Sequence, residues 1–248
     1  SADTTDSCLR QQVEMDAAYG DERLTTFLFL PVAEAPPFQT VVFFPGSNVI
    51  YRGSYADLGL GQIDFLVRGG RAVAVPVYLG TFERSTDLRS DIQDQSNQWR
   101  DHMIAWTKDL RRSVDYLETR DEFDTDRLGY LGVSWGSAVA PAMLALEDRV
   151  RAAVLIVGGL LMQDAQPMAD PFNFLPRARQ PTVMINARWD SFYPLETSGR
   201  PFFDHLGATG DQKKFVLIDA NHGVFSYDRN RVVREALEWF DLYLGPVR

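Results

Sequence analysis

The chain has 248 residues, 45% of them hydrophobic and 24% charged, enough to build a sizeable core within one α/β domain spanning residues 1–248. Its net charge of −9 argues against nucleic acid or an anionic membrane as partner, and no apolar run approaches the roughly 20 residues that span a bilayer. The single Cys8 excludes an internal disulfide, and without a CxxC or Cys/His cluster no metal site is expected.

The chain opens at Ser1 rather than Met, as a processed form or a fragment would, so the compartment stays open. VEMDAAY (Val13–Tyr19) and TTFLFLP (Thr25–Pro31) read as an antiparallel pair turning at Gly20-Asp21. Six further apolar runs follow: TVVFFP (Thr40–Pro45), AVAVPVY (Ala72–Tyr78), RLGYLGV (Arg127–Val133), AAVLIV (Ala152–Val157), PTVMINA (Pro181–Ala187) and KFVLID (Lys214–Asp219). Unbroken Val, Ile and Phe runs separated by helical patterns predict a mostly parallel sheet of about eight strands with helices on both faces. Between the strands, Trp99, Met103, Trp106, Leu110, Val114 and Leu117 define one apolar helix face. Val233, Leu237, Phe240 and Leu244 define another at the end of the chain.

One stretch carries chemistry. In RLGYLGVSWGSAVAPAMLALE a predicted strand runs into Ser134, and a helix over Ser137–Leu146 follows. GxSxG in that context is a strand-to-helix turn that projects a nucleophilic serine, the glycines avoiding clashes. A hydroxyl is a poor nucleophile at neutral pH, so Ser134 needs a base and a group to orient it. Of three histidines, His102 and His205 fall within predicted helices and read as surface or packing residues. His222, in DANHGVF after the last strand, is the expected base. The acid should lie between serine and histidine in the chain, and Asp190 in MINARWDSFYP fits. Asp219, three residues before His222, is its rival, and Asp164 and Asp170 read as solvated loop charges. The amides of Trp135, next to the serine, and of Ser47, in FFPGSNVIYRGS, are the expected oxyanion donors.

With Ser134, Asp190 and His222 in this order, the chain resembles the α/β-hydrolase superfamily over nearly its whole length. FFPGSNVIYRGS, PVYLGTFER, GVSWGS and NARWDSFYP together resemble its dienelactone hydrolase and acetyl xylan esterase-like branch, including hydrolase domains fused to bacterial serine/threonine kinases. The resemblance implies the α/β-hydrolase fold, Ser134 as nucleophile, Asp190 as acid, His222 as base, and the Ser47 and Trp135 amides as oxyanion donors, with no cofactor. Two departures stand out. Pro45-Gly46 occupies the place where many relatives carry His-Gly, and serine stands where a dienelactone hydrolase proper would use cysteine.

The expected activity is therefore hydrolysis of a small-molecule carboxylic ester through an acyl-serine. The rivals are a serine peptidase of the prolyl oligopeptidase type and a non-catalytic binding module. Tyr78, Phe82, Trp135, Trp189, Phe192 and Tyr193 are candidates for an aromatic pocket lining, several of them equally suited to the core. The 24 residues between Val157 and Thr182, with Pro167, Pro171 and Pro176, leave room for a minimal lid. The polar run within Leu79–Gln98 lacks an apolar face to close over a greasy substrate. An open site for dissolved short-chain esters is expected. Acyl and alcohol specificity and oligomeric state leave no sequence signal.

Overall fold

A computed structural model of the chain describes residues 2–4, 8–57 and 60–247. Its strands are β1 (Ala2–Thr4), β2 (Cys8–Asp16), β3 (Arg23–Pro31), β4 (Phe38–Phe44), β5 (Ala72–Pro76), β6 (Phe123–Val133), β7 (Val150–Ile156), β8 (Thr182–Ala187) and β9 (Lys213–Ile218). They form one sheet in the order β1-β2-β3-β5-β4-β6-β7-β8-β9. The first four in that order pair antiparallel and the rest parallel. The eight strands expected from the apolar runs are all present. The edge strand β1 adds a ninth, which at three residues is too short to announce itself. The β2–β3 hairpin begins and ends earlier than Val13–Tyr19 implied. Its ladder closes at Asp16 and Arg23, and the chain turns through Gly20 at φ 55°.

β4, β5 and β8 are buried along their whole length, because helices cover them on both faces. β9 ends the sheet and accordingly alternates more exposed and more buried residues. The helices are α1 (Asp64–Arg68), α2 (Asn97–Glu118), α3 (Trp135–Leu146), α4 (Arg200–His205), α5 (Val224–Tyr227) and α6 (Arg229–Leu244). The Ser96 hydroxyl caps α2 by accepting from the Trp99 amide at 3.0 Å. From there Trp99, Met103, Trp106, Leu110, Val114 and Leu117 all face the core, as their spacing predicts. Truncating one of them, such as Leu110→Ala, removes about 2–5 kcal/mol of stability. In α6 the buried seam runs through Val232, Ala236, Trp239, Phe240 and Leu244, so Val233 and Leu237 sit on its flank, only partly covered. The reason is the Phe240 ring, which fills the space above Gly129 of β6; a Cβ on that glycine would meet it at 2.7 Å.

No helix among the described residues is long and apolar enough to cross a membrane. Parallel pairing sends the C-terminal ends of β4, β6, β7, β8 and β9 to one edge of the sheet, with β6 between β4 on one side and β7 on the other. Loops leaving that edge are where such a sheet places its ligands.

Candidate active site

β6 hands over to α3 at one residue, Ser134, held at φ 54° and ψ −111°. A non-glycine residue adopts positive φ at a cost that the surroundings must offset. Here the Ser134 amide donates to Ile156 O at 2.8 Å, and the Ser134 carbonyl accepts from the Ser137 and Ala138 amides. The flanking glycines make the turn possible. A Cβ on Gly132 would come within 2.6 Å of Gly136 O, and one on Gly136 would collide with the Phe44 carbonyl. The neighbouring Ser137 is fully buried, and its hydroxyl bonds to Gly132 O and Ile156 O, whereas the Ser134 hydroxyl faces His222.

His222 arrives from the loop after β9 and Asp190 from the loop after β8. The two loops are laced together by Arg188 N to Ile218 O and Trp189 N to Ala220 O, at 2.9 and 3.1 Å. His222 Nε2 lies 2.9 Å from Ser134 Oγ, and its Nδ1 lies 2.8 Å from Asp190 Oδ2. The other Asp190 oxygen accepts from the Phe192 and Tyr193 amides at 2.9 and 3.0 Å. A carboxylate facing Nδ1 fixes the proton there, so Nε2 presents its lone pair and the Ser134 hydroxyl donates to it. The arrangement can therefore remove the Ser134 proton as the hydroxyl attacks a carbonyl.

The structure brings Ser134, Asp190 and His222 together and sets the alternatives aside. Asp219 is exposed and pairs with Arg188 at 2.6 Å. Asp170 caps the 3-10 turn at Pro171–Arg177, and Asp164 is exposed. His102 is buried, with Nδ1 on Gln98 O and Nε2 on Thr86 Oγ1, both at 2.8 Å, so it ties the loop before α2 to that helix. His205 is exposed and bonds Pro201 O.

The Trp135 amide directly follows Ser134 in the chain, and the Ser47 amide follows Gly46. Among the described residues neither has an acceptor. Gly46, just before Ser47, packs so closely that a Cβ on it would stand 3.4 Å from the Ser134 Cβ. The Trp135 side chain points the other way. Its ring is fully buried, edge-on to Trp106 and Phe44 at 4.7 and 5.2 Å. Tyr78 and Phe82 are core as well, so half of the candidate aromatic lining serves packing instead. Trp189 and Phe192 are exposed, Phe192 with its ring centroid 4.7 Å from that of His222.

The segment between β7 and β8 forms no helix beyond the 3-10 turn Pro171–Arg177, and the Leu79–Gln98 loop holds one short turn, Phe82–Arg84. The two segments touch through Gln93, which donates to Gln163 O, and Gln166, which donates to Gln95 O. A buried cluster that the sequence did not announce anchors the second loop. Asp109 of α2 accepts from Tyr19 OH, Arg84 Nη1 and Leu79 N at 2.8, 2.8 and 3.0 Å.

Strand order, helices on both faces and a serine on the turn after the central strand define the α/β-hydrolase fold. The likeness extends over the whole chain to a cold-adapted esterase from an Arctic intertidal metagenomic library, at 15% identity over 98% of this chain and 97% of that one, TM-score 0.75. An esterase of Pyrococcus furiosus superposes at 14% identity over 95% of this chain and 93% of that one, TM-score 0.71. A Bacteroides ovatus protein named as a dipeptidyl aminopeptidase IV is similar at 15% identity over 96% of this chain but 36% of its own, TM-score 0.76. Residues 62–238 match the Dienelactone hydrolase family. The chain belongs to that family, and it is a hydrolase.

Proposed function

We propose that this hydrolase is a serine carboxylesterase acting on dissolved short-chain or aryl esters through an acyl-enzyme. The observation that carries the reading is the unbroken chain of hydrogen bonds from Ser134 through His222 to Asp190, on a strained strand-to-helix turn. Ser134 Oγ attacks the ester carbonyl as His222 Nε2 takes its proton. Asp190 holds the imidazole in the required tautomer and stabilises the imidazolium that forms. The carbonyl oxygen, now an anion, lies between the Ser47 and Trp135 amides, which have no other acceptor among the described residues. His222 then protonates the leaving alcohol, and water repeats the sequence on the acyl-serine. No step calls for a metal or cofactor.

The peptidase reading draws on the fold shared with the Bacteroides protein. The binding-module reading gives no reason to maintain a strained serine aligned with a base and a buried acid. One experiment separates the three: turnover of 4-nitrophenyl esters of increasing acyl length, set beside a peptide anilide, with wild type and Ser134→Ala. Short acyl chains are expected to be preferred, with no jump in rate at the solubility limit and no detectable turnover by Ser134→Ala. Faster turnover of the anilide would favour the peptidase, and activity that survives Ser134→Ala would refute the serine mechanism.

A further inference from the structure

Among the described residues two aromatic rings meet the imidazole of His222, and they differ in character. Tyr193 is 5% exposed, with its ring centroid 6.0 Å from that of His222. Phe192 is 69% exposed, yet its centroid lies closer, at 4.7 Å and a tilt of 50°. The Phe192 backbone is anchored, because its amide donates at 2.9 Å to Asp190, the carboxylate that also faces His222 Nδ1. Tyr78, Phe82 and Trp135 are buried in the core and have no surface left to offer. A phenyl ring held against the base by a fixed backbone, and otherwise open, offers apolar surface for a ligand to cover.

The chemistry of the triad decides which part of a substrate lies there. To protonate the departing alkoxy oxygen, His222 Nε2 must come within hydrogen-bond reach of it, about 3 Å. The carbons which that oxygen carries then lie within the next few ångströms, the span at which the Phe192 ring stands from the imidazole. The sheet agrees. Ser47, whose amide is assigned to the oxyanion, follows β4 on one side of β6, whereas Phe192 and His222 follow β8 and β9 on the other.

We infer, on the serine esterase reading above, that Phe192 is a specificity residue of the leaving-group subsite, fitting the enzyme to esters of benzylic and other aryl-bearing alcohols. The alcohol's ring packs on the open side of Phe192, offset or edge-on, at the centroid separation of about 4.5–7 Å that such pairs prefer. Phe192 makes no bond and moves no proton. The bond between the acyl carbon and the alkoxy oxygen breaks, its electron pair goes to that oxygen, and His222 supplies the proton that makes it an alcohol. An ester that carries its ring on the acyl side leaves Phe192 uncovered.

Benzyl acetate and methyl phenylacetate test it, being isomers that carry the same ring on opposite sides of the ester. The alcohol departs in the acylation step, which kcat/KM covers. In Phe192→Ala the ratio of kcat/KM for benzyl acetate to that for methyl phenylacetate is expected to fall roughly 10-fold, the worth of an aromatic pair with its buried area. In Phe192→Tyr, which keeps the ring, the ratio is expected to stay within about twofold of wild type. A ring that only supports His222 would lower both esters together, so an unchanged ratio in Phe192→Ala overturns the proposal, and so does a rise, which would put the ring on the acyl side. A fall in Phe192→Tyr as large as that in Phe192→Ala also overturns it. Phe192→Leu, which keeps apolar bulk beside His222 without a ring, covers the case in which Phe192→Ala does not fold, and its ratio is expected to fall at least about threefold; no fall overturns the proposal. Activity surviving Ser134→Ala overturns both this inference and the esterase reading. An unchanged ratio in a Ser134-dependent enzyme overturns this inference alone.

Discussion

Asp190 and Asp109 are both sealed carboxylates, at 5% and 1% exposure, and each accepts three hydrogen bonds. Two of the partners of Asp190 are backbone amides, and the third is His222, whose side chain is a quarter exposed. The partners of Asp109 close on themselves, since Arg84 also donates to Tyr19 OH at 2.6 Å. One carboxylate thus faces a part-exposed imidazole that reaches Ser134, and the other faces a permanent cation with nowhere to go. The difference in partner separates the group proposed to steer chemistry from one that holds a shape. Around Asp109 the shape held is the loop after β5, which keeps Phe82 buried at φ 48° beside Tyr55.

The largest way to break the comparison is Asp190→Asn, which leaves the carboxamide oxygen for the Phe192 and Tyr193 amides but turns His222 to the wrong tautomer. A loss of about 10⁴-fold in kcat is expected, with the thermal midpoint little changed. Asp109→Ala reverses the pattern. Arg84, 9% exposed, loses its counter-charge, and about 3–5 kcal/mol of stability goes with it, read by urea unfolding. The folded fraction keeps kcat within about tenfold, since no catalytic contact is touched.

Acid sharpens the contrast. Burial, opposed by Arg84, raises the Asp109 carboxyl from its ordinary 3.8 to about 6. The folded state then binds the proton more tightly than the unfolded chain. The contribution of this group is fully present below about pH 4 and is lost as pH rises through about 6. Wild type should therefore show a component of stability that declines over that interval, and Asp109→Ala should lack it, as urea unfolding at pH 4.5 and pH 7 would reveal. The smallest expected effect is that of Asp219→Asn, an exposed surface pair with Arg188, worth less than about twofold in kcat and under about 1 kcal/mol in stability. A large loss of turnover in Asp219→Asn with little in Asp190→Asn would reverse the assignment of the acid.

What could be read in advance follows from the same physics. Parallel strands covered on both faces are continuous apolar runs, so their number and places along the chain were visible, whereas the three residues of β1, Ala2, Asp3 and Thr4, carry no pattern. Ser134 stood out because a strained turn needs glycines at fixed offsets, and with three histidines in the chain few could be the one beside it. Phe240 and Leu244 of α6 are buried as expected, but Val232 and Ala236 take the places expected of Val233 and Leu237, because Trp239 and Phe240 are adjacent and only the contact with Gly129 decides how the helix is turned. Asp109 was invisible because its partners lie 25 and 90 residues away in the chain, and a charge beside Leu110 reads as a helix surface. Tyr193 read as an aromatic near a strand end, suited equally to core or pocket, because nothing local records which way a phenol points.

The central claim is that Ser134 is the nucleophile, and covalent capture tests it most directly. The protein is incubated with a fluorophosphonate, digested and mapped by mass spectrometry. One adduct on Ser134 is expected, absent in Ser134→Ala and strongly slowed in His222→Ala. An adduct on Ser137 or another serine, or unimpaired labelling of Ser134→Ala, would contradict the account.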